Sequence, residues 1–118
     1  MLAALVLAAP AWAGFGLMVG VDDDSLKWAP AAGDVVASHR DLGMTAVRVT
    51  LQWTPGLAKL DDDSVTYVAR AQATAKLGER VVLAVYGPAA SPPVTPEARG
   101  DFCSFVVSAL TSAMLSSR

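Results

Sequence analysis

One cysteine, one histidine and few charges are all that this 118-residue chain offers, and each scarcity removes a class of function. A lone Cys103 cannot close a disulfide within the chain or form a paired-thiolate metal site, so it reads as a small buried hydrophobe beside Phe102. His39 has no second histidine to share a metal with, and its helical stretch makes it an exposed position. Nine basic residues against eleven acidic ones give a net charge of −2. No electrostatic footprint for a nucleic acid partner exists. Charged side chains make up 17% of the chain and apolar ones 53%, a balance suited to a parallel sheet covered by helices. Gly14, Gly16 and Gly20 do not form G-x-G-x-x-G with a helix directly after, so a dinucleotide site is not expected. The run Asp22-Asp23-Asp24 lacks the alternating spacing and the glycine of a calcium loop. No cofactor and no metal follow from this sequence.

What is present alternates between strand-like and helix-like segments. A first strand covers about Gly16 to Val21, and Asp22 to Ala32 forms a loop. A first helix runs from Asp34 to Leu42 with Val35, Val36 and Leu42 turned inward and Gly43 as its stop. The second strand, Ala46 to Gln52, precedes a Pro55-Gly56 turn. A second helix, Ser64 to Leu77, has Asp61-Asp62-Asp63 at its positive end and Gly78 beyond its C-terminus. The third strand is the continuous apolar run Val81 to Tyr86, which reads as covered on both faces. Prolines 88, 92 and 93 exclude helix or central strand and leave a loop. Thr95-Pro96-Glu97 then starts a third helix with a capping hydroxyl, a proline at the first position and an acid in the first turn. Phe102, Phe105, Val106, Ala109 and Leu110 give that helix one apolar face. Strands alternating with helices predict a parallel sheet in the order one, two, three.

The N-terminal residues M-L-A-A-L-V-L-A-A-P-A-W-A join an apolar core to Ala11-Trp12-Ala13, a small-residue pattern that fits signal-peptidase cleavage after Ala13. Residues 1–13 are therefore expected to be a signal peptide, and the product to be secreted, extracellular or periplasmic. The segment carries no Lys or Arg, and its apolar run continues to Val21, long enough to reach across a bilayer. Pro10 and three glycines make that run a poor helix, and no basic cluster follows it. Stable membrane association is not expected.

An arginine inside a strand is the sharpest signal. In G-M-T-A-V-R-V-T-L-Q-W, Gly43 to Trp53, Arg48 alternates with Val47 and Val49 and points to the other side of the sheet. A guanidinium in a sheet core needs a carboxylate or similar partner, either an acid of an active site or, as the plainer reading, a structural carboxylate at the strand end. The stretch resembles the second strand of the clan A glycoside hydrolases, the cellulase-like (β/α)8 barrels, where a V-R-V strand ends near a Trp. G-F-G-L-M-V-G-V-D-D-D, Gly14 to Asp24, resembles the first strand and its loop. R-V-V-L-A-V-Y-G, Arg80 to Gly87, resembles the third.

The resemblance implies a partial TIM barrel of about three N-terminal βα units, residues 14–118, because a complete barrel takes about 250 residues. It implies hydrolysis of O-glycosidic bonds in a poly- or oligosaccharide, with Arg48 steadying a nucleophilic glutamate that a later strand supplies. The general acid/base and the nucleophile of that family belong to the fourth and seventh strands, so this chain is expected to be inactive alone. Asp22 and Asp23, with Trp28, Trp53 and Tyr86, are the candidate sugar-binding residues at the strand ends. Each acid reads otherwise as a solvated turn residue, and each ring as a cap on the core. Glu79 reads as a solvated loop charge at the bottom of the barrel, and Glu97 as a partner of the helix dipole. Unpaired strand edges and an inward Arg48 without its carboxylate predict self-association. The alternative is a small self-contained secreted α/β binding or interaction module.

Overall fold

Two glycines with positive φ, Gly43 at 75° and Gly78 at 90°, end the first two helices where the sequence places them, because a side chain there would strain the backbone. The computed structural model describes residues 18–115. Strands β1 (Gly20–Asp22), β2 (Ala46–Gln52) and β3 (Arg80–Tyr86) alternate with helices α1 (Ala32–Asp41), α2 (Asp62–Lys76) and α3 (Pro96–Leu115). A single 3-10 turn, Asp24–Lys27, follows β1. All strands are parallel in the order β1-β2-β3, as expected.

The strand period of two sorts the sheet into unlike faces. Val47, Val49, Leu51 and Trp53 all turn toward the helices and are fully buried. Val47 and Val49 pack with Leu26, Ala32 and Val35, while Leu51 and Trp53 pack with Val68 of α2 and Phe105 and Ala109 of α3. All three helices therefore cover one face. The other face carries Asp22, Arg48, Thr50, Gln52, Val82 and Tyr86 in register rows, Asp22 beside Arg48 beside Val82 and Gln52 beside Tyr86. No element of the described residues covers it.

Several expectations are corrected by this layering. Among the described residues strand three is covered on one face only, and Val82 and Tyr86 stand exposed on the other. Strand one begins at Gly20, and its expected first residues, 16 and 17, lie outside the described residues, as do the signal segment and its cleavage point. Cys103 is exposed, because it lies on the flank of α3 away from the buried Phe105 and Ala109. Leu42 and Leu110, expected inward, are exposed at their helix flanks. Among the described residues no helix is long and apolar enough to cross a membrane.

Candidate functional site

The uncovered sheet face gathers the polar side chains that a ligand could meet. Arg48 Nη1 lies 3.2 Å from Asp22 Oδ2, across the register pair that joins β1 to β2. Both side chains are about half exposed (52% and 56%), so the pair is solvated and contributes little to stability. This corrects the expectation of an inward arginine without a carboxylate. One row nearer the strand ends, Thr50 donates its hydroxyl to Asp24 Oδ2, and its amide donates to Asp24 Oδ1 at 3.0 Å. Lys27 Nζ reaches both Asp24 and Thr50 at 2.9 Å, and it stands 4.9 Å from the Tyr67 ring centre. Gln52 and Tyr86 complete the face at the C-terminal ends of β2 and β3.

The three consecutive aspartates divide among three environments. Asp22 points to the open face, whereas Asp23, one residue on, turns toward the helices. Burial disfavours charge on Asp23, yet the Ser25 amide, His39 and the Ser25 hydroxyl outweigh it and hold the carboxyl below its ordinary range. Asp24 behaves alike: burial opposes its charge, and Thr50 and Lys27 together lower its pKa. Neither can serve as a proton donor near neutral pH.

His39 was expected on the surface and is instead 4% exposed. Its Nδ1 lies 2.8 Å from Glu79 Oε1 and its Nε2 lies 3.0 Å from Asp23 Oδ2. Glu79 is likewise buried, with Oε2 lacking any hydrogen-bond partner. A neutral imidazole has one N–H, so two facing carboxylates require the doubly protonated ring. Burial alone would lower the His39 pKa, but the bonds to Asp23 and Glu79 and their charges raise it. Both nitrogens are engaged, so this group is a clamp joining α1 to the β1 end and the β3 start. It is not a base open to substrate.

The aromatic candidates separate as well. Tyr86 is 47% exposed on the open face and Trp28 is 68% exposed, edge-on to Tyr67 at 6.5 Å between ring centres. Trp53 is corrected: it is fully buried, donates Nε1–H to the Leu57 carbonyl at 2.7 Å and packs edge-on against Phe102. Its odd position in the strand sends it to the helix side, where no sugar can stack on it. Asp22, Arg48 and Tyr86 thus share one face, Trp28 lies beyond the strand ends, and Asp23 and Trp53 belong to the other side. Lys27, Thr50 and Gln52 were missed by the sequence reading. The alternation that placed Arg48 also carries Thr50 and Gln52, so that signal was present for two of the three.

Among the described residues no group of three His, Cys, Asp or Glu side chains is arranged to hold a metal ion. Comparison with protein-family models, with curated proteins and with solved structures finds no match to this chain.

Proposed function

We propose that this chain contributes the first three βα units of an exported (β/α)8 glycoside hydrolase barrel, and that its open sheet face is the sugar-facing lumen. The observation that supports this most is the pairing of consecutive parallel order with helices on one face only. A doubly wound sheet divides its helices between two faces because its strand order reverses. A sheet with helices on one face has its other face uncovered, and closure into a barrel covers that face with the sheet itself. Thr50, Gln52 and Tyr86 would then lie at the strand ends that form barrel active sites. Hydroxyl, amide and aromatic groups suit a neutral polyol, with the ring stacking on its apolar face.

On its own the chain would bind sugar without cleaving it. Retaining hydrolysis needs two carboxyl groups about 5 Å apart, one of them able to donate a proton. Here Asp22 faces Arg48, while Asp23 and Asp24 are held ionised. Arg48 would steady a carboxylate supplied by a later strand, and cleavage after Ala13 would deliver the product outside the cytoplasm.

The test is titration of the isotope-labelled chain with a panel of neutral oligosaccharides, read by NMR. Saturable shifts at Arg48, Gln52 and Tyr86, lost in Tyr86→Ala, with aryl-glycoside turnover at blank level, are the expected result. Shifts confined to the helices would overturn it. So would hydrolysis by contaminant-free chain that Asp22→Asn abolishes, since the chemistry would then reside within these units.

A further inference from the structure

The His39 clamp is tied to the open sheet face through three consecutive residues. Asp23 faces His39 Nε2, while Asp22 before it pairs with Arg48 and Asp24 after it accepts from the Thr50 amide. The Asp23 amide itself donates to the Arg48 carbonyl at 3.3 Å. Its carboxylate caps the 3-10 turn, accepting from the Ser25 amide at 2.7 Å and the Ser25 hydroxyl at 2.8 Å, so it moves with the turn rather than by itself. Planar peptide groups join the three aspartates, and a shift of this cap displaces Asp22 and Asp24 with it. Both hold open-face residues of β2.

The charged groups around the imidazole come from three elements. Asp23 leads the turn, Glu79 precedes β3, and Asp34 of α1 lines the same cleft as Asp23 and His39. Arg40, the next residue of α1, is engaged with the Leu77 carbonyl. A doubly protonated ring gives Asp23 and Glu79 one donor each, whereas a neutral ring has a single N–H for the two carboxylates. Burial decides which of them loses it. The Glu79 side chain is 3% exposed and its Oε2 has no partner, while that of Asp23 is 29% exposed and keeps both Ser25 bonds. Stranding Glu79 is the costlier outcome, so the remaining proton stays on Nδ1 and the Nε2 lone pair is left facing Asp23. The tie from α1 to β3 survives, and the tie from α1 to the turn is cut.

We propose that the protonation state of His39 sets the geometry of the open face. With the ring charged, Asp23 holds the Asp22–Asp24 run against Arg48 and Thr50; with the ring neutral, Asp23 and its turn move toward solvent and draw that run away. The consequence for ligands rests on reading this face as the sugar-facing lumen. Oligosaccharide should bind about fivefold more weakly above the His39 titration than below it, the low end of couplings between sites. Linkage makes the effect reciprocal, so bound sugar should raise the His39 midpoint.

Amide hydrogen exchange of the unliganded full chain, measured across the His39 titration, tests the geometry without any sugar. The ring resonances of the only histidine give the midpoint directly. Thr50 donates its amide to Asp24, so its protection factor reports whether the run is in place. Protection at Thr50 should fall about fivefold through the midpoint while the β3 amides keep theirs. In Asp23→Asn the side-chain amide can donate to the Nε2 lone pair, so Thr50 should stay protected above the parent's midpoint. Thr50 protection that is constant through the midpoint, or that falls together with the β3 amides, overturns the proposal. So does an equal loss in Asp23→Asn, because the signal would then bypass Asp23. Absence of binding to the neutral oligosaccharide panel defeats the sugar reading alone, whereas affinity equal on both sides of the midpoint defeats the regulation.

Discussion

Replacing His39 by alanine removes the one cation from between two carboxylates, Glu79 at 2.8 Å and Asp23 at 3.0 Å. Glu79 is the costlier partner to strand, since its side chain is 3% exposed and its Oε2 already lacks a hydrogen bond. Removing one member of a buried ion pair costs about 3–5 kcal/mol. Against a typical domain stability of roughly 5–15 kcal/mol, His39→Ala should bring the chain close to unfolding. Urea titration followed by tryptophan fluorescence measures the loss. Replacing both residues, His39→Leu with Glu79→Leu, should recover most of it, because no buried charge is left without a partner.

The same cluster sets a pH window. The His39 pKa is raised above its ordinary 6.5, so its contribution is complete below that value and is lost as pH rises through the folded-state pKa. Asp23 is lowered from 3.8, so its contribution is present above that value and is lost as pH falls through its folded-state pKa. Stability should therefore decline as pH rises above 6.5 and through the raised folded-state pKa of His39, and the decline should vanish in the double leucine variant. A His39→Ala protein within about 1 kcal/mol of the parent, or a parent that grows more stable over that range, would refute the clamp.

Trp53→Ala should cost about 3–5 kcal/mol in the same urea assay, as expected for a fully buried ring; a loss below about 1 kcal/mol would place the ring outside the core. Gly20→Ala would put a Cβ 2.7 Å from the Ala46 carbonyl oxygen, so amide hydrogen exchange should show β1 losing protection while β3 keeps it. Asp61 caps α2 by accepting from the Ser64 amide at 2.9 Å, and Ser64 bonding holds its carboxyl below the ordinary range. Asp61→Ala should cost about 1 kcal/mol, with the parent losing this increment only as pH falls below 3.8 and through the lowered value; an unchanged urea midpoint would contradict the cap.

The element order was legible because local signals agreed with one another. Ala46–Gln52 is bounded by a helix-stopping glycine and a Pro-Gly turn, and the second and third helices carry their own caps, Asp61 and Thr95. Parallel order followed from alternation and the crossover rule. His39 and Glu79 were readable in principle. His39 falls on the helix stripe of Ala32 and Val36, and Glu79 shares the parity of Val81, Leu83 and Val85. Titratable residues invite an assignment to solvent, and that assumption hid both. A single period-two step likewise separates Asp22 from Asp23, so treating the aspartate run as one loop merged three environments.

The sequence by itself determined which segments are strands and helices, where they stop, and that Arg48 opposes Val47 and Val49, because these depend on neighbours a few residues apart. Only the tertiary structure decided which partner each charge meets. Asp22 reaches Arg48 through the β1–β2 register, and His39 reaches Glu79 forty residues away through the seating of α1 on the sheet. It also decided that, among the described residues, one sheet face is left uncovered, since coverage depends on where helices dock and no local propensity encodes it.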